Sequence, residues 1–117
     1  MKKLTLLIVL LLSALTLLGA DLTGTWSVAV ALDAGSGAAT FTFKQTGEAL
    51  SGTYTGTFGQ SKVAGTVKGD QIEWSFDSEQ VGKVTYQGTI DGEGKMKGTV
   101  IYGQLGKGTF AGERAQK

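Results

Sequence analysis

The side chains with most to offer chemically are aromatic. Tyr54, Tyr86 and Tyr102 each bring a hydroxyl that donates and accepts hydrogen bonds, and Trp26 and Trp74 each bring an indole N–H that only donates. The alternation described below turns all five to the same side of their strands. A few such groups in an apolar concavity make a small-molecule site. The same groups can also satisfy one another inside a solid core. The usual reactive residues are missing: the 117 residues contain no His and no Cys. That removes the commonest general base, the commonest metal ligand and the thiolate nucleophile, and it leaves the serines without a triad partner. The carboxylates are scattered. Glu73 and Asp77 share an outward face, and Asp91-Gly92-Glu93 sits in a turn too sparse in ligands for a dedicated calcium loop. Nothing in their spacing supports a two-carboxylate hydrolase. The expectation is a non-enzymatic protein with no cofactor and no metal.

What positions the rings is a chain of short strands. From Asp21 onward, apolar and polar residues alternate with period two, the mark of strands with one buried face. Trp26, Val28, Val30 and Leu32 alternate with Thr25, Ser27, Ala29 and Ala31; Ile72, Trp74 and Phe76 oppose Gln71, Glu73 and Ser75. Leu50, Tyr54 and Phe58 share one parity, as do Val84, Tyr86 and Ile90, and Met96, Val100 and Tyr102. Thr46-Gly47-Glu48, Gly69-Asp70, 91–94 and 103–106 are turn sequences, with longer loops at 33–37 and 78–82. Proline is absent, so the chain's 19 glycines do the turning. No segment after the leader has a helical period.

Gly-Thr followed by an aromatic or β-branched residue recurs at Gly24, Gly52, Gly56, Gly65, Gly88, Gly98 and Gly108. Each copy puts the glycine and the large residue on one face and threonine on the other. Glycine weakens a strand interior, so repeated use needs a reason. A sheet that curls tightly supplies one, because it lacks room for a large inner side chain at every position. The expected fold is all-β: an eight-stranded antiparallel up-and-down meander closed, or nearly closed, into a barrel, preceded by a helical signal peptide. Threonine, lysine, serine, glutamine and glutamate point outward, the reverse of a lipid-facing barrel.

The opening Leu22-Thr23-Gly24-Thr25-Trp26 resembles the first strand of the calycin superfamily of small β-barrels, which includes lipocalins and avidins. In that group a tryptophan near the start packs against a basic residue near the end, which implies a structural pair of Trp26 and Arg114. Gly24-Thr25-Trp26, Leu50-Ser51-Gly52-Thr53-Tyr54 and the Trp74 strand follow one another in an order similar to avidins. There Tyr54 matches a tyrosine that hydrogen-bonds the ligand. Val28 stands where those proteins carry a polar ligand-binding residue, and their later tryptophans are missing. Biotin binding is not carried over.

Residues 1–20 read as a secretory signal peptide, and 21–117 as a single β-barrel domain. Lys2 and Lys3 precede a nearly continuous apolar run from Leu4 to Leu18, and Gly19 and Ala20 are small. An uncleaved anchor is the alternative. Leu17-Leu18-Gly19-Ala20 also resembles a bacterial lipoprotein box, but the lipid-accepting cysteine is absent. The expected location is secreted or periplasmic, without stable membrane insertion after cleavage. The 11 basic and 10 acidic side chains nearly balance, so nucleic acid is not an expected partner.

Two functions fit. One is a binding module for a small apolar or amphipathic molecule held in the barrel interior by Trp26, Tyr54, Trp74, Tyr86 and Tyr102. The other is a structural or protein-interaction protein, inhibitor-like, with a side-chain-filled barrel and a protein partner. An eight-stranded barrel is wide enough for either. The space left between Trp26, Tyr54, Trp74 and Tyr86 distinguishes them.

Overall fold

The computed structural model describes residues 21–115. The leader reading at 1–20 lies outside the described residues. Eight strands follow in order: β1 (Gly24–Leu32), β2 (Gly35–Thr46), β3 (Ala49–Gly56), β4 (Gly59–Lys68), β5 (Gln71–Ser78), β6 (Gly82–Ile90), β7 (Met96–Tyr102) and β8 (Lys107–Arg114). A single 3-10 turn, Gly103–Leu105, joins the last two. Each strand pairs antiparallel with the next, and β8 pairs with β1, so the sheet closes into an up-and-down barrel.

Period-two patterning is visible as period-two burial. Phe41, Phe43, Trp74, Phe76, Val84, Tyr86, Val100 and Tyr102 are buried, and the residues between them face outward. Closure also explains the inward glycines. A Cβ added to Gly65 would lie 2.0 Å from the Glu73 carbonyl oxygen and 2.7 Å from the Trp74 Cα. Gly88 and Gly98 face each other across β6 and β7, each meeting the partner strand's backbone in the same way. Only glycine lets the strands coil this closely.

Two boundaries differ from the alternation. Leu50, Tyr54 and Phe58 share a parity, yet β3 stops at Gly56 and Thr57-Phe58 form the turn into β4. Gly59, at φ 96°, allows the reversal. The loop expected at 33–37 shortens to Asp33-Ala34, because Gly35, Ser36 and Gly37 pair with Leu32, Ala31 and Val30.

The two ends of the barrel differ. One end holds the start of β1, the end of β8 and the turns at 47–48, 69–70 and 91–95, and Leu22 is wholly buried there. The other end, the mouth, carries the turns at 33–34, 57–58 and 79–81 and the 3-10 turn. On the outer wall, Ile101 is 54% exposed. Among the described residues, no helix is long and apolar enough to cross a membrane.

Candidate functional site

Tyr54 and Tyr102 approach the mouth from β3 and β7. The Tyr54 ring stacks on Phe76, with centroids 4.2 Å apart, and its hydroxyl accepts a 3.3 Å hydrogen bond from the Phe58 N–H. Gly56 is required for this. A Cβ there would lie 2.5 Å from the Tyr54 hydroxyl oxygen. The Tyr102 ring packs against Phe58 at 5.6 Å, and its hydroxyl lies 2.8 Å from that of Tyr86.

Between these rings and the β1–β2 hairpin lies a cleft of about 170 Å³. Val30, Leu32, Tyr54, Phe58, Tyr102 and Leu105 supply its apolar walls, with residues 34–38 along one side and Thr57 at the rim. No charged side chain lines it. An apolar cavity of about 150 Å³ is large enough to hold benzene, so one ring or a short branched chain matches the space. Larger furrows run along the outer wall, such as one of about 460 Å³ between Ser27, Ala29, Lys97 and Glu113. Lysine and carboxylate side chains border that furrow, whereas the mouth is free of charged side chains.

The residues expected to surround one interior space lie at three depths. Tyr54 and Tyr102 line the cleft. Trp74 and Tyr86 lie deeper, fully buried and stacked at 4.9 Å. Phe41 fills the centre, 5.2 Å from both Trp74 and Tyr86. Trp26 is at the closed end, where its indole N–H donates to the Leu22 carbonyl at 2.9 Å. The space considered between Trp26, Tyr54, Trp74 and Tyr86 is occupied by rings: the packing of Phe41, Phe43, Phe76 and Phe110 around Trp74 and Tyr86 leaves the opening at the mouth. Beyond Tyr54 and Tyr102, sequence reasoning missed the cleft walls. Phe58 carried the right signal, its inward parity, but Leu32, Leu105 and the backbone at 34–38 come together only through closure.

Burial, above all, raises the hydroxyl pKa of both Tyr86 and Tyr102. Both phenols therefore stay protonated in ordinary buffers and act as neutral hydrogen-bonding groups. The Trp74 N–H is the one buried side-chain polar atom without a hydrogen-bond partner among the described residues, and the faces and edges of Phe41, Phe43 and Phe110 surround its ring.

Chemically, the cleft can enclose apolar surface and offer phenolic hydrogen bonds. Ser36 and Thr57 add hydroxyls, and no charged side chain stands beside them in the lining. Compared with known proteins, the chain matches no family model and no curated protein.

Proposed function

We propose that this is a non-enzymatic, exported binding protein that takes a small apolar or amphipathic group into the cleft at the mouth of a calycin-like barrel. The observation that carries the reading is the cleft of about 170 Å³, walled by apolar side chains and floored by Tyr54 and Tyr102. A concave apolar surface with a few convergent polar groups is the general form of a small-molecule site. Export rests on the leader at 1–20.

A heteronuclear NMR titration with benzene as the probe tests it. The expected result is saturable shifts confined to Val30, Leu32, Phe58, Tyr102 and Leu105. Absence of shifts at these positions, or shifts spread over the outer wall, overturns the reading.

The densely packed interior favours a second reading, a protein-interaction module working through its loops or its outer face. The exposed Ile101 on β7 is the apolar side chain it would use. Under that reading benzene leaves the mouth unperturbed, and Ile101→Lys abolishes capture of a partner from the exported fraction.

A further inference from the structure

We propose that Gly37 is the specificity-determining residue of the mouth cleft: the room left by its missing side chain is where the ligand sits, so the cleft admits one small neutral ring. This rests on the reading of the cleft as a binding site, and adds which residue keeps it open and what limits the size of its ligand.

The inward row of β2 tapers toward the mouth. Phe43, Phe41 and Ala39 are buried, and Gly37 follows with the same parity but lies exposed on the cleft. Its partner across β1 is Val30, itself a cleft wall. On its other flank, β3 pairs with β2 only as far as Ala39, which faces Gly56. Residues 35–38 therefore stand beyond the end of β3. The cleft opens on that flank, with Thr57 and Phe58 of the next turn among its walls.

The other strand glycines among the described residues answer to packing or to backbone conformation. At Gly52, Gly65, Gly88, Gly98 and Gly108 a Cβ would lie between 1.9 and 2.1 Å from a backbone oxygen. At Gly56 and Gly112 it would lie 2.5 and 2.8 Å from a side-chain atom. Gly24, Gly35, Gly59 and Gly82, at strand ends, have positive φ. Gly37 has neither reason. Its φ is not positive, and the nearest atom a Cβ would meet is the Thr57 Oγ1 at 3.9 Å, an ordinary contact.

Glycine weakens a strand interior, and an unfilled apolar hollow forfeits contacts its walls could make. A larger residue at 37 would remove both costs and close the cleft. Glycine there leaves an open mouth on a less stable barrel, the usual conflict between a binding site and stability. The walls then set the ligand class. A space of about 170 Å³ with no charged side chain in its lining suits a neutral ring of about benzene's size. A charged group would lose its water with no counter-ion beside it.

The test reads binding and stability in the same variants, expressed with their own leader and used as the cell yields them. Benzene is titrated by heteronuclear NMR, xenon serves as a smaller apolar probe followed by its own resonance, and thermal unfolding is followed by circular dichroism. Gly37→Ala should raise the unfolding midpoint by about 2–8 °C, the usual gain where alanine can adopt the glycine's conformation. Gly37→Val should weaken benzene by about tenfold or more, as expected when roughly two or three buried carbons are excluded. Xenon, which needs less room, should weaken by about threefold at most, and the midpoint should not fall. Ala64→Val adds similar bulk to the outer wall and should leave both probes unchanged. A lowered midpoint in either Gly37 variant shows that the fold itself needs the glycine and overturns the proposal. Undiminished benzene binding in Gly37→Val also overturns it, as does an equal loss of benzene and xenon. Each of these leaves the binding reading standing. No binding of benzene to the unmodified protein overturns both.

Discussion

The Arg114 guanidinium carbon sits 4.6 Å above the centre of the Trp26 ring, and β8 pairs these two residues directly across β1. The guanidinium also donates to the carbonyls of Thr23, at 2.9 Å, and Asp21. One side chain therefore covers the closed end and ties down the segment that enters β1. Arg114→Ala is expected to lower stability by about 1–3 kcal/mol, combining a cation–π contact with two hydrogen bonds. Arg114→Lys should restore only part of it, because an ammonium cannot fork to two carbonyls while lying over a ring. Urea unfolding of the three proteins measures this, and equal midpoints would refute the role.

Gly65 faces the Trp74 backbone across β4 and β5. Its replacement by alanine places a methyl group within 2.0 Å of a carbonyl oxygen. The strand must move, and the rings packed on Trp74 move with it. A loss of about 3 kcal/mol or more is expected, at the upper end for overpacking. Gly92→Ala, where an added Cβ meets nothing, is the control and should change the midpoint little.

Alkaline pH should unfold the barrel through its tyrosines. Burial holds the Tyr86 and Tyr102 hydroxyls above their ordinary value of 10.0. The folded chain therefore keeps protons that the unfolded chain releases. That stabilisation is complete below pH 10.0 and is lost as pH rises through the higher folded values. Tyrosinate absorbance from these residues should appear together with loss of the strand circular dichroism signal. Their ionisation in a chain that keeps its strand signal would contradict the buried pair.

Acid should loosen the β6–β7 turn. The Asp91 carboxylate accepts from the backbone N–H of Lys95 at 3.0 Å and of Glu93 at 2.9 Å, and these two bonds, the Lys95 one foremost, hold its pKa below the ordinary 3.8. The contribution is full above 3.8 and fades as pH falls below it toward the lower folded value. Amide exchange at Glu93 and Lys95 should quicken over that range. In Asp91→Ala it should already be fast at neutral pH, and unchanged exchange there would rule the turn anchor out.

Much of the strand pattern was legible in the residues. Trp74 and Phe76 alternate with Glu73 and Ser75, so a single buried face follows without knowledge of any partner strand. The Trp26–Arg114 pairing was an expectation drawn from the resemblance to calycin barrels. The end of β3 was harder, because Phe58 keeps the inward parity of Tyr54 while lying in a turn. Its inward direction survived and its backbone conformation did not, since the reversal depends on where β4 must begin to pair. Leu32 and Leu105 gave no sign of a common site, being far apart in the chain and both at the ends of elements.

Alternation, turn glycines and inward rings are local properties, and the sequence alone determined them: a strand shows its two faces within a few residues. Which rings meet, and where space is left, is a property of closure. The stagger between neighbouring strands sets Phe41 edge-on against both Trp74 and Tyr86 and stacks Tyr54 on Phe76. That packing filled the interior and left the opening at the mouth, beside Phe58. Whether an eight-stranded barrel is hollow depends on how its side chains stack in layers across the axis, and only the tertiary structure decided it.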